Sequence, residues 1–158
     1  MTLRVALFTL TDTPASEHFY MAELREALAD RDVLFVDDWR GADVVHLFEV
    51  NLFTRAAVRA FRFPTLLRIV RSDTPLVVST DDLYFIDRPD LTERPRLYRA
   101  NYRLQRHLLD AAEGVIALSE SVRTTLVEHL DDPENVHVVR HGVDDRYRCD
   151  PDAPVPEN

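Results

Sequence analysis

Apolar and polar positions divide the chain into alternating strand-like and helix-like runs. Leu3 to Leu10 is a near-continuous apolar run, as expected of a strand buried on both faces. Thr11-Asp12-Thr13-Pro14 then turns into a helix from about Ala15 to Asp30, with Tyr20, Leu24, Ala27 and Leu28 on one face. Val33–Val36 is a second strand and Asp43–Phe48 a third. A helical segment follows from about Leu52 to Val70, with an interruption expected near Pro64, which cannot donate to the helical ladder. Pro75–Ser79 is a fourth strand, ending in Thr80-Asp81-Asp82, and residues 83–95, acidic and proline-containing with Tyr84 and Phe85, read as a functional or mobile loop. A long helix from about Pro95 to Ala112 leads into a last β-α-β unit. Gly114–Leu118 ends in Ser119-Glu120-Ser121, a short amphipathic helix follows, and Asp132-Pro133-Glu134-Asn135 turns into a second β-branched run that ends at His141-Gly142.

The coarse order β-α-β-β-α-β-α-β-α-β predicts an α/β, three-layer Rossmann-like domain with a mainly parallel sheet. Residues 1–146 form that domain. Residues 147–158, rich in proline and polar residues and without periodicity, read as a tail or the start of an interdomain linker. In open parallel sheets the chemistry gathers at the carboxyl ends of strands, where Asp81-Asp82, Ser119-Glu120 and His141-Gly142 lie.

Composition narrows the function classes. The chain of 158 residues is 46% hydrophobic, enough for one real core. No apolar run approaches the roughly 18–20 residues of a membrane helix and no secretory pattern opens the chain, so a cytoplasmic protein without a transmembrane segment is expected. The net charge is -9, and all 19 basic residues are arginine. An acidic surface disfavours nucleic acid as a partner. Acid excess with arginine in place of lysine also suggests a GC-rich genome and a salt-loving, halophile-like cytoplasm. Cys149 is the single cysteine and has no second thiol for a disulfide or a zinc site; no metal and no cofactor is expected. His46, inside an apolar strand, reads as a buried, hydrogen-bonded histidine.

Four stretches then resemble one family. Asp43-Val-Val-His46-Leu is similar to a D-V-I-H-x strand, and Pro75-Leu-Val-Val-Ser-Thr-Asp81-Asp82 to P-V-V-x-T-x-H-D. Gly114-Val-Ile-Ala-Leu-Ser119-Glu120-Ser-Val-Arg123 is similar to A-D-x-V-I-A-V-S-E-x-x-R, and Val136-His-Val-Val-Arg140-His141-Gly142-Val143-Asp144 to K-I-x-V-I-P-N-G-V-D. In this order and spacing the chain resembles the N-terminal, acceptor-side domain of GT-B fold glycosyltransferases, especially the retaining group called family 4. The resemblance implies the acceptor-binding half of an enzyme that transfers sugar from a nucleotide-sugar donor. The donor-binding half, with its basic residue and E-x7-E glutamates, is absent from these residues, so they are not expected to be catalytic alone. The turn after the first strand, Thr11 to Ser16, lacks the family's glycines, and Asp81 stands where the family has histidine.

Within that frame Asp81 and Asp82 are candidates to hold acceptor hydroxyls or to act as a base or orienting group, beside the plain reading of turn residues. His18 is a candidate phosphate or acceptor contact. His141 and Gly142 are expected at an interdomain cleft, with Ser119 and Glu120 near it, although Ser119 reads first as a helix N-cap and Glu120 as its first-turn acid. At ~100° per residue Arg96, Arg99, Arg103 and Arg106 share an arc of about 80°: a solvated, charge-balanced face, or a site for a lipid-linked phosphate or an acidic membrane surface. The alternatives are a stand-alone sugar- or protein-binding module without catalysis, a related epimerase that also needs a second domain, and a flavodoxin-like receiver. The missing lysine argues against the receiver.

Overall fold

A computed structural model describes residues 2–9, 15–48, 56–80 and 95–140; for residues 15–19, 56–61 and 95–101 it describes the backbone alone. Six strands form one sheet: β1 (Leu3–Thr9), β2 (Val33–Val36), β3 (Val44–Phe48), β4 (Leu76–Thr80), β5 (Gly114–Ala117) and β6 (Val136–Val138). Among the described residues four helices connect them: α1 (Ala15–Ala27), α2 (Ala56–Val70), α3 (Pro95–Asp110) and α4 (Glu120–His129). The strand order is β2-β1-β3-β4-β5-β6, and every neighbouring pair is parallel. The expected α/β, Rossmann-like architecture is the one observed.

The strand register fixes which side chains share a face. Ala6, Val45, Leu47, Leu76, Val78, Val115, Ala117 and Val136 form one continuous core with Leu66 and Ile69 of α2, Leu108 and Leu109 of α3, and Leu126 of α4. Three helices therefore cover one face of the sheet. The opposite face carries Val5, Leu7, Thr9, His46, Phe48 and Ser79, which follow from the pairings Leu7 with His46, Thr9 with Phe48, and Phe48 with Ser79. Helix α1 packs there: Tyr20 stacks on Phe48 with ring centroids 4.3 Å apart, and the Arg25 guanidinium lies 5.4 Å from the Phe35 ring centroid.

Two acidic residues set the register at the amino edge. The Arg4 N–H donates to Asp43 Oδ2 at 2.7 Å, and the Asp43 N–H donates back to the Arg4 carbonyl at 2.8 Å. One crossover further on, the Leu76 N–H donates to Glu113 Oε2 at 2.6 Å while the Glu113 N–H donates to the Leu76 carbonyl at 2.9 Å. In each case the residue just before a strand brackets the first turns of pairing with its neighbour. A one-residue slip would remove both bonds and reverse the strand's faces. The acid at the head of the Asp43-Val-Val-His46 stretch is thereby explained by backbone geometry.

Helix α2 departs from expectation, because it runs unbroken through Pro64. Pro64 is exposed, and the helix buries Leu66 and Ile69 on its other side. Water can satisfy the carbonyl that proline leaves without a donor, and packing of the buried stripe holds the helix together. Helix α1 is shorter than its periodicity suggests, ending at Ala27 in a turn where the Arg31 N–H donates to the Leu28 carbonyl at 3.0 Å. The loop expected over residues 83–95 and the tail at 147–158 lie outside the described residues, apart from Pro95 at the start of α3.

Ser119 is the N-cap of α4, and its Oγ accepts from the Val122 N–H at 3.1 Å. Glu120 follows as the first-turn acid, which complements the positive end of the helix dipole. Replacing Ser119 with alanine is expected to cost about 1 kcal/mol in urea unfolding, with Ser119→Asp retaining most of the stability.

Candidate functional site

Strand β1 has β2 on one side and β3 on the other, and the chain leaves it toward β2. The connections diverge at this point, so the carboxyl ends of β1 and β3 form the topological switch point, where open parallel sheets usually hold their ligand crevice. Thr9 ends β1 there with 8% of its surface exposed. Arg62, reaching over from α2, donates through Nη1 to both the Thr9 carbonyl and Thr9 Oγ1, each at 2.9 Å. A charge-assisted bond of this kind fixes the last residue of the strand beside the crevice.

A second polar group lies one strand further along. His46 Nε2 is 2.6 Å from Ser79 Oγ, His46 is 8% exposed and Ser79 is fully buried. The expected buried, hydrogen-bonded histidine is thus present. The ring of Tyr20, on α1, meets the imidazole edge-on with centroids 6.4 Å apart. Burial pushes the His46 pKa down to about 4, so the ring is neutral near pH 7. Burial raises the Tyr20 phenol above its ordinary value, and the bond from Ser79 opposes that rise. At the end of β4 the Thr80 hydroxyl, in the residue that precedes Asp81, is buried without a hydrogen-bond partner among the described residues.

Of the residues singled out from sequence, the structure describes some. Asp81 and Asp82 follow the carboxyl end of β4 but lie outside the described residues, as do His141 and Gly142 beyond Arg140. His18 is in α1, and Arg96 and Arg99 are in α3, with backbone described but not side chains. Arg103 is exposed. Arg106 is paired with Asp110 at 3.3 Å and with Asp131, so at that position the arginine face is charge-balanced. Glu120 is exposed and 3.9 Å from Arg140, a separation at which an exposed pair contributes little. Among the described residues no three His, Cys, Asp or Glu side chains come together as a metal site, and no helix is long and apolar enough to cross a membrane.

Thr9, Arg62 and Tyr20 were not marked by any sequence motif, and Ser79, although inside the Pro75–Asp82 stretch, was not singled out as a site residue. Tyr20 is recognisable only as part of an apolar helix face, and Ser79 only as a strand-end residue. Their proximity comes from crossovers that join positions far apart in the chain.

A family model described as Glycosyltransferase Family 4 matches residues 8–147. No curated protein matches the chain. Among solved structures, the fold is similar to Anabaena Alr3699/HepE in complex with UDP-glucose, at 15% identity and a TM-score of 0.52, covering 90% of this chain and 44% of that one. It is also similar to the same protein in complex with UDP, at 16% identity and a TM-score of 0.51, covering 91% and 45%. The chain therefore spans less than half the length of these structures.

Proposed function

Since the chain belongs to glycosyltransferase family 4, we propose that it supplies the acceptor-binding half of an enzyme that moves a sugar from a nucleotide-sugar donor to a sugar or lipid-linked acceptor. The observation that carries the reading is the family match itself, which begins in β1 and extends past β6. The similar HepE structures hold UDP-glucose or UDP and are more than twice as long as this chain, in keeping with a donor-binding half outside these residues.

Sugar transfer requires an acceptor hydroxyl held in line with the donor's anomeric carbon, and such positioning is a large part of the catalysis. The carboxyl ends of β1, β3 and β4 offer the acceptor a wall built on rigid strands. Asp81 and Asp82 follow Thr80 in the sequence, and in this reading they accept hydrogen bonds from acceptor hydroxyls. No role that depends on an imidazole is assigned to position 81. In this reading His141 and Gly142, with Ser119 and Glu120, belong to the cleft that faces the donor half. Arg96, Arg99 and Arg103 remain the basic face for an anionic acceptor or an acidic membrane surface, reached from the cytoplasm.

Ligand-observed magnetic resonance on the 158-residue chain checks this division of labour. Saturation transfer is expected to alkyl glycosides and not to UDP-glucose, and Asp82→Asn is expected to weaken the glycoside signal several-fold. Saturable UDP-glucose binding with no glycoside contact would assign the chain to the donor side and overturn the reading.

A further inference from the structure

Arg62 belongs to α2, which packs against the sheet through Leu66 and Ile69 on the face that also carries Ala6 of β1. Ala6 and Thr9 are an odd number of residues apart, so the Thr9 side chain points to the opposite face, where Phe48 of β3 is its register partner. Arg62 Nη1 nevertheless donates to Thr9 Oγ1 as well as to the Thr9 carbonyl, each at 2.9 Å. Strand β1 is flanked by β2 and β3, so a side chain from one face reaches a hydroxyl on the other only around the carboxyl end of the strand. The guanidinium therefore lies on the rim of the sheet. It spans the switch point from α2, which follows β3 in the chain, to the last residue of β1.

Thr9 by itself does not call for a charge. Its carbonyl and hydroxyl are neutral acceptors that a neutral donor would satisfy, and partly burying a cation carries a desolvation cost. Both bonds leave from one nitrogen, so they fix the plane and direction of the guanidinium before any ligand arrives. A planar cation held in this way at the ligand position of an open parallel sheet suits the oxygens of a phosphate, which guanidinium binds through charge-assisted hydrogen bonds.

We propose that Arg62 is a binding residue for a phosphate group carried by the ligand of this crevice, with Thr9 as the residue that orients it. Only the identity of the switch point as a sugar site rests on the acceptor reading; the place of the cation on the rim is a property of this fold. A phosphate could come from the acceptor or from the donor's diphosphate, and the two sources separate on titration.

Ligand-observed magnetic resonance on the 158-residue chain compares glucose 6-phosphate with glucose at low ionic strength, where a charge contact shows most clearly. The parent is expected to bind the phosphate ester about ten-fold more tightly than the neutral sugar. Arg62→Gln, which removes the charge and keeps an amide donor, is expected to bring the two ligands within about two-fold of each other. On the parent itself the Arg62 Nε–H resonance, assigned by its loss in Arg62→Lys, is expected to shift with glucose 6-phosphate and to stay in place with glucose. Equal binding of the two ligands by the parent, a preference that survives Arg62→Gln, or an unmoved Arg62 resonance would each overturn the assignment. Displacement of glucose 6-phosphate by UDP-glucose places the phosphate on the donor and its absence places it on the acceptor; both outcomes keep Arg62 as the phosphate contact. Contact with neutral alkyl glycosides is read separately, so failure of the acceptor reading and failure of the phosphate site give different results.

Discussion

Truncating Leu47 to alanine is expected to destabilise the domain by about 3–4 kcal/mol, a large part of the ~5–15 kcal/mol that holds a typical domain together. Leu47 is completely buried in β3, paired in register with Phe8 on one side and Val78 on the other. It belongs to the core formed with α2, α3 and α4. Strands on both sides restrain the backbone, so the space left by the missing methyls cannot close by a simple shift, and lost transfer energy and cavity add. Leu34→Ala provides the contrast. Leu34 is 50% exposed on the edge strand β2, and its truncation is expected to cost no more than about 0.5 kcal/mol. Urea unfolding of the two variants measures the difference directly; equal midpoints would mean that the buried face is not the one described.

Acid should weaken the fold through His46. Its pKa falls from 6.5 in the unfolded chain to about 4 in the folded one because burial penalises the imidazolium. The unfolded chain therefore takes up this proton first as pH falls. The contribution of the neutral ring is fully present above pH 6.5 and is lost progressively down to about pH 4. The full span corresponds to about 3 kcal/mol, of which about 2 kcal/mol is gone by pH 4.5. Carboxylates titrate in the same range, so the comparison is with His46→Gln, which can still bond to Ser79 and carries no proton equilibrium there. Between pH 7 and pH 4.5 the parent should lose about 2 kcal/mol more than the variant by urea unfolding. Parallel pH profiles would show that His46 is not held neutral in the folded state.

Much of the fold can be read from the chain because parallel strands buried on both faces leave long apolar runs. The apolar run from Leu3 as far as Thr9 and the β-branched stretches at Val44, Leu76, Val115 and Val136 all became strands. Pro64 misled the periodicity because local propensity does not report which side of a helix meets water. Arg106 shows both sides of the limit: Asp110 lies one helical turn away and is evident from spacing, whereas Asp131 reaches it from beyond α4. The same limit applies at the crevice. His46 could be named as a bonded histidine from its apolar surroundings, but its partners Ser79 and Tyr20 are 33 residues later and one helix earlier. Sequence spacing contains no term for a crossover. The acceptor candidates Asp81 and Asp82 and the interdomain-cleft candidate His141 rest on position at strand ends and on family membership, and lie outside the described residues.

The strand order also bears on how the chain is made. After β1, α1 and β2 emerge from the ribosome, β3 takes the other side of β1, and from there β4, β5 and β6 join the sheet in the order in which they are synthesised. From α2 onward each new helix lands on the same growing face, so every later β-α unit meets a finished template and no strand waits for one still to be translated. Long-range pairing is what makes parallel sheets slow to fold, and this order reduces each step to a neighbour finding the last edge laid down. The growing edge moves outward with synthesis, and among the described residues the last strand laid down is the three-residue β6.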